Sequence, residues 1–537
     1  MPQTLARSSP ALARPVAAPT VSARVAAFAL IAGFAAFNML YLLVDCPLNL
    51  APDEAHYWDW SRRLDWSYYS KGPLVAWLIG GSCAVFGDTM PAVRFPAVLC
   101  NAALLLGIHR LAVQTFANER FALLVVALAL TVPPLAAPAI VMTIDGPFLA
   151  CWAWACAFAQ RAVNGGSWRS WVAAGVVTAI GVLAKYTMLL FPACVGLFLL
   201  TQKRWSLGFG LMCAISLLGL VPILLWNAAH EWIGLRHVST LAGGSPQSSF
   251  DPTTLPQFLA SQFGLLVGYW FLAWVAAIVT FRPWRNADPR TAFLWWTSVP
   301  VFALFLVAAV QVKGQPNWPV AAYVPGVVLA VAWVARQFAS SSRRYRRLCA
   351  GLLAFAIVLG LAMTFLARWP SLIRPAIATV TPSPSADNLT PVRKLDPTCR
   401  LYGWHQLAAE VDKLRDQVRA ETGEEPIVAT MMWNTPGELA FYCRDHPTVY
   451  TFGSALADRY SQYDLWRPNP VADAQAFRGR TFVYVGEINT DLQHAFDRCD
   501  PPVEVIASDG GIPVADWKVR VLRGYRGFPK GQRAAGY

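Results

Sequence analysis

The sequence predicts a polytopic α-helical membrane protein with about eleven or more transmembrane helices and a C-terminal extracytoplasmic α/β domain. Three observations predict it. Only 14% of the 537 residues are charged and 56% are hydrophobic, against roughly 25% charged in an average soluble domain. Uncharged apolar runs recur between residues 25 and 367. The net charge of +13 sits wholly in residues 1–367, because from Arg368 onward 20 basic residues meet 20 acidic ones. A nucleic-acid partner needs its basic excess gathered on one polar face; here the excess lies between apolar runs, so membrane lipid is the expected surroundings and nucleic acid is excluded.

Residues 1–24 hold Pro, Ala, Ser, Arg7, Arg14 and Arg24 without a packing pattern and read as a flexible cytoplasmic tail. Residues 25–44 then run without a charge, long enough to cross about 30 Å of hydrocarbon. A signal peptide would have an apolar core of only ~7–15 residues, so an uncleaved helix is expected. Further spans are expected near 92–111, 121–137, 146–159, 171–184, 187–200, 207–226, 258–281, 292–310, 320–335 and 348–366. Together with the first span they form a transmembrane unit over 25–367.

Charge sets the orientation. With the N-terminus cytoplasmic, the inner segments carry 17 basic residues against Glu119 and Asp288, whereas the outer ones carry seven against nine acids. This is the positive-inside pattern, and an odd number of spans then puts 368–537 outside. The chemically busy outer segments are 45–91, 227–257 and 311–319. Residues 369–391, rich in Pro, Ser and Thr, read as a linker. Beyond them Leu407, Val411, Leu414 and Val418 mark a helix, and 427–432 and 481–485 read as strands. Of the eleven Cys, eight lie in or beside apolar runs and read as core residues. Cys399, Cys443 and Cys499 fall in the polar region, where two of them could pair if that region is extracytoplasmic.

The residues able to do chemistry gather in 45–91. Pro52, Asp53 and Glu54 fit the first turn of a helix, where Pro is tolerated and acids favour the dipole. That could be their whole purpose, but Tyr57, Trp58, Trp60, Trp66, Tyr68 and Tyr69 fix the segment at headgroup depth. Lys71 precedes a helix expected to start at Pro73, and a cation beside free N–H groups suits a phosphate; an interfacial lysine reaching for water is the plain alternative. Asp145 opens a span and either caps its helix or faces the cavity of Asp53. Further phosphate candidates are Arg94, Lys185, Arg236 and Lys313, of which Arg94 and Lys185 could equally be interface anchors, and His56 is a further candidate for substrate binding. His230, Glu231 and His237 match no standard zinc spacing, so no metal ligands are assigned, no cofactor is firmly implied, and a divalent metal is left open.

The stretches PDEAHYW, YYSKGPLVAWL, VRFPAVL, TIDGPFLACW and NWPVAAY, with the late LAFYCRDHPTVY and SQYDLW, resemble the GT-C glycosyltransferases over nearly the whole chain. Similar members are polyprenyl-phosphate-sugar-dependent enzymes related to lipid A aminoarabinose transferases and protein O-mannosyltransferases. The resemblance implies a bacterial inner-membrane enzyme with a periplasmic C-terminal domain. It would move a sugar from a polyprenyl-phosphate carrier to an acceptor hydroxyl on the outer face, with lipopolysaccharide, lipid A or another envelope glycan as acceptor. It also implies Asp53 as principal catalytic acid, Glu54 as its neighbour, Asp145 as the second acidic position and Lys71 at the carrier phosphate. Some relatives carry Asn in place of Ser461 and His near Lys71. Such a transfer needs cations to steady the leaving phosphate and a carboxylate to take the acceptor's proton. Protein O-glycosylation is the alternative acceptor chemistry. A lipid or sugar transporter is the alternative class, disfavoured because transporters hold ionisable groups near the midplane whereas the charges here lie at span ends.

Overall fold

The computed structural model describes residues 21–240, 251, 253–285, 288–311, 314–456 and 459–528. The expected tail therefore lies almost entirely outside the described residues, and its last four residues already belong to the helix Val21–Val44. Among the described residues six helices are long and apolar enough to cross a membrane: Ser22–Val44, Met90–Phe116, Leu207–Ala229, Pro289–Ala308, Val320–Gln337 and Arg343–Leu366. Two bent pairs raise this to at most eight, so the expected eleven is not reproduced.

The physical reasons are local. The apolar run at 121–137 breaks at Pro133–Pro134 into two helices meeting at 96°, since proline cannot continue the hydrogen-bond ladder. The run at 258–281 breaks where Val267 and Gly268 both take positive φ, and its halves meet at 106°. Trp168–Ala184 and Tyr186–Thr201 are apolar but short against the ~20 residues a span needs. An apolar run records composition, not direction, and so overcounts. The multi-pass character stands. Val320–Gln337 is central and mostly buried, while Leu217, Leu225, Phe355 and Val358 of the peripheral helices face outward, which only an apolar solvent makes favourable.

The C-terminal part is built on a six-stranded sheet: β1 (Ile427–Thr430), β2 (Val449–Thr451), β3 (Phe482–Val485), β4 (Phe496–Cys499), β5 (Val503–Asp509) and β6 (Ile512–Tyr525). The order is β2-β1-β3-β6-β4, with β5 also on β6. β1 runs parallel to both β2 and β3, and β6 is antiparallel to its neighbours. Both expected strands are present. So is the expected helix, Trp404–Thr422, which buries Leu407, Val411, Leu414 and Val418 at the predicted spacing.

This sheet domain shares a core with the first long loop of the helical part. One apolar cluster takes Trp58, Trp60 and Val75 from that loop together with Leu407, Leu439 and Val483. The helix Pro436–Tyr442 lies so close to the helix Pro52–Ser61 that a Cβ on Gly437 would sit 2.7 Å from the Ala55 carbonyl. Hydrogen bonds fix the register: Leu50 N–H donates to the Tyr442 hydroxyl (2.6 Å) and Tyr69 N–H to Gln462 Oε1 (2.7 Å). The segment expected as a linker is fastened too, because buried Arg374 donates to Asp396 (2.9 Å) and Asp509. All eleven Cys are free. Cys399 and Cys443 lie in separate apolar clusters and Cys499 borders a third, so none of the three is paired.

Candidate functional site

The helix Pro52–Ser61 sorts its two leading acids by geometry. Successive helical side chains point about 100° apart, so Asp53 and Glu54 cannot share an environment. Glu54 turns inward and is fully buried against Arg94, also fully buried. Arg94 Nη2 lies 2.8 Å from Glu54 Oε2 and Nε 3.0 Å from Oε1. Glu54 also accepts from Ala51 N–H (2.8 Å) and Met142 N–H (2.7 Å), while Arg94 Nη2 donates to the Asn49 carbonyl (2.7 Å). The sequence expectation for Arg94 is thereby corrected: its guanidinium is consumed by Glu54 and the 48–49 backbone, leaving no face for a phosphate. Glu54, expected beside Asp53 among the catalytic acids, instead has both carboxylate oxygens committed inside the protein. It ties the start of one acid-bearing helix to residue 142, three positions before Asp145.

Asp53 turns outward. Its carboxylate is 40% exposed and makes a loose ion pair with Arg400, at 3.5 Å, a kind worth little in water. Asp145 opens the helix Asp145–Val163 and has both oxygens engaged, one by Lys185 Nζ (2.7 Å) and one by Asn317 Nδ2 (2.7 Å). Lys185 follows the end of Trp168–Ala184, and Asn317 belongs to the NWP stretch.

Lys71 reaches the same place because Gly72 passes against the Leu183 backbone, where a Cβ would lie 2.2 Å from its carbonyl oxygen. Burial pushes the Lys71 ammonium below the usual lysine range and Lys185 adds to this, while Asp53 and Asp145 oppose it. Lys71 is therefore within electrostatic reach of both acids. Lys71 and Lys185 line a cavity of about 180 Å³ whose other walls include Tyr186, Phe305 and Trp318. A cationic patch opening into an apolar hollow suits a phosphate carrying a hydrocarbon chain.

The remaining candidates separate. His56 is enclosed by Trp60, Tyr463 and Trp433, with ring centroids 4.7, 5.0 and 5.5 Å away. Burial, reinforced by Arg459 and Lys71, lowers its pKa to about 3. It is neutral at physiological pH, so any contact it makes with substrate is that of an uncharged imidazole. Arg236 is exposed on the short helix Ile233–Ser239. Lys313 lies outside the described residues. Among the described residues no three His, Cys, Asp or Glu side chains gather to hold a metal ion.

Two groups escaped the sequence reading. Arg459, from the sheet domain, stacks over Trp433 at 4.0 Å and acts electrostatically on Lys71, His56 and His237. It stands two residues before the SQYDLW stretch, whose Gln462 docks on Tyr69, and that adjacency was the available signal. Glu438 is buried beside Glu54 with neither oxygen hydrogen-bonded. Burial and the Glu54 charge hold its pKa well above the carboxylate range. No local pattern distinguished it.

Residues 70–226 match the family model described as dolichyl-phosphate-mannose-protein mannosyltransferase. A lipid A galacturonosyltransferase of Rhizobium johnstonii, RgtD, is 29% identical over 310 residues, which is 56% of this chain and 64% of that protein. The chain thus spans just under two thirds of that relative's length. The structure of ArnT from Cupriavidus metallidurans bound to undecaprenyl phosphate superposes with a TM-score of 0.60 at 17% identity, covering 94% of this chain and 98% of the other. The apo form of the same protein gives 0.58 at 17% identity, with 93% and 98% covered. At such identity the likeness is one of fold.

Proposed function

The chain has the GT-C glycosyltransferase fold, and from that premise we propose that it moves a sugar from a polyprenyl-phosphate carrier to a hydroxyl of lipid A or another envelope glycolipid. The observation that carries this reading is that Lys71 lies within electrostatic reach of Asp53, Asp145 and Lys185, with Lys185 paired to Asp145, beside a hollow that suits a lipid phosphate. The similarity to a lipid A galacturonosyltransferase and to a protein solved with undecaprenyl phosphate supports the choice of donor and acceptor.

The roles follow from occupancy. Asp145 has both oxygens committed, so it orients Lys185 and Asn317. Asp53 is only loosely paired and has lone pairs to spare, so it receives the acceptor hydroxyl. The acceptor oxygen forms a bond to the anomeric carbon as the bond from that carbon to the phosphate oxygen breaks. The hydroxyl proton passes to Asp53, and the polyprenyl phosphate leaves as an anion against Lys71 and Lys185. The bacterial relatives support an inner-membrane enzyme and the basic excess of the expected inner segments a cytoplasmic N-terminus; with one of the two bent pairs crossing as a single span, seven crossings would put the sheet domain in the periplasm. The test is direct: purified full-length protein, given a polyprenyl-phosphate sugar and lipid A, yields lipid A heavier by one sugar residue. The family description over 70–226 favours a protein hydroxyl as second reading; glycosylated peptide with unmodified lipid A would establish it instead.

Lys71→Met is expected to weaken binding of undecaprenyl phosphate about tenfold to a hundredfold, the worth of a hydrogen bond to a charged group. Because burial and Lys185 depress the Lys71 pKa, wild-type affinity falls as pH rises, beginning below the range where an exposed lysine titrates. The Met variant lacks that fall. Binding titrations from neutral to alkaline pH check both, and an unchanged affinity removes Lys71 from the phosphate site.

A further inference from the structure

We propose that the cleft at the carboxyl ends of β1 and β3 binds the phosphorylated saccharide headgroup of the acceptor. The proposal rests on the transfer reading above for its choice of a glycolipid.

The sheet topology singles out this place. From β1 the chain moves to β2 on one side, then returns to β3 on the other, so the strand order reverses between β1 and β3. In open α/β sheets ligands bind outside the carboxyl ends of the strands at such a reversal. A cleft of about 650 Å³ lies there, entered by Met432 and Asn434 after β1 and by Gly486 after β3, within the volume range of small-molecule sites. Gly486 has φ +148°, and a Cβ on it would sit 2.7 Å from that of Met431. A side chain there would collide with Met431 and with the Tyr484 hydroxyl, so only glycine lets the chain leave β3 in this way.

The lining has the chemistry of an anionic sugar site. Trp404 and Trp517, with ring centroids 5.1 Å apart, form an aromatic wall on which the apolar face of a pyranose can lie. Three cations line the cleft, Arg393, Arg400 and Lys518, against two acids. Each acid is engaged: Glu487 with Lys518 (2.9 Å) and Asp516 with the Thr390 hydroxyl (2.9 Å). Arg393 is exposed and offers its planar fork to a phosphate.

The cleft is also connected to the chemistry. Pro52 lines it and Asp53 is the next residue. Arg400 belongs to the cleft wall and lies 3.5 Å from the Asp53 carboxylate. A headgroup seated in the cleft therefore approaches Asp53 from the sheet-domain side, while the Lys71–Lys185 hollow is formed by other residues altogether. Donor phosphate and acceptor phosphate have separate cations.

The experiment uses the full chain in detergent and compares lipid A with its dephosphorylated form by native mass spectrometry, with undecaprenyl phosphate measured alongside. Wild type is expected to prefer the phosphorylated form about tenfold, as for one charge-assisted contact. The double variant Arg393→Gln, Lys518→Gln loses most of that preference while its binding of undecaprenyl phosphate is unchanged. Trp517→Phe keeps the preference but weakens both lipid A forms. Equal wild-type binding of the two forms overturns the proposal. So does a preference that survives the double variant, or a parallel loss of undecaprenyl phosphate. Phosphate-dependent binding without turnover on any donor would uphold the cleft while removing the transfer reading.

Discussion

Asp53→Asn is expected to lower sugar transfer by about 10²–10⁴-fold, the contribution of a positioned general base, while leaving the protein folded. The structure gives reasons for both halves. Asp53 is half exposed, packs into no core cluster and loses only a loose contact to Arg400 on substitution. Asn keeps the same shape and is tolerated in a first helical turn, so the apparent unfolding temperature in detergent should hardly move. What disappears is the one acid of the constellation with unclaimed acceptor capacity. Asp145→Asn should behave differently. It releases Lys185 and Asn317 together, so its loss should include weaker undecaprenyl phosphate binding, which Asp53→Asn preserves. Wild-type transfer by the Asp53→Asn protein would move the base elsewhere in the site.

How much of this was legible beforehand depended on whether a signal was local. Pro52, Asp53 and Glu54 announced a helix start, and the heptad-like Leu407, Val411, Leu414 and Val418 announced a buried helical face; both are there. The sequence could not tell Asp53 from Glu54, because the difference lies in Arg94, forty positions away, and in the Met142 amide. The same ignorance made Arg94 look like a free cation. Arg459 and Glu438 arrive from the sheet domain far along the chain; the neighbouring SQYDLW stretch was the one pointer to Arg459, and no period or motif pointed to Glu438. The apolar runs found the helices but not the bends at Pro133 and Gly268, since hydropathy carries no direction. Local grammar gave elements, and long-range pairing decided roles.

That long-range pairing carries the second large effect. Arg94→Met is expected to destabilise the protein by about 3–5 kcal/mol, because it leaves the Glu54 carboxylate buried without its counter-charge, a large share of the ~5–15 kcal/mol that holds an ordinary domain together. Glu54→Met strands the guanidinium in the same way and additionally orphans the Ala51 and Met142 amides. The double variant should recover part of the loss, since no isolated charge remains, although the two amides stay unpaired. Partial recovery in a double-mutant cycle of apparent unfolding temperatures is the signature of a buried pair; strictly additive losses would mean that the two groups act independently. Transfer should not recover with stability. Glu54 is what ties the Asp53 helix to the segment leading into Asp145, and two methionines restore packing but not that hydrogen-bonded registration. A double variant that is stable yet slow would separate the two jobs of the pair, holding the loop in place and holding the acids in register.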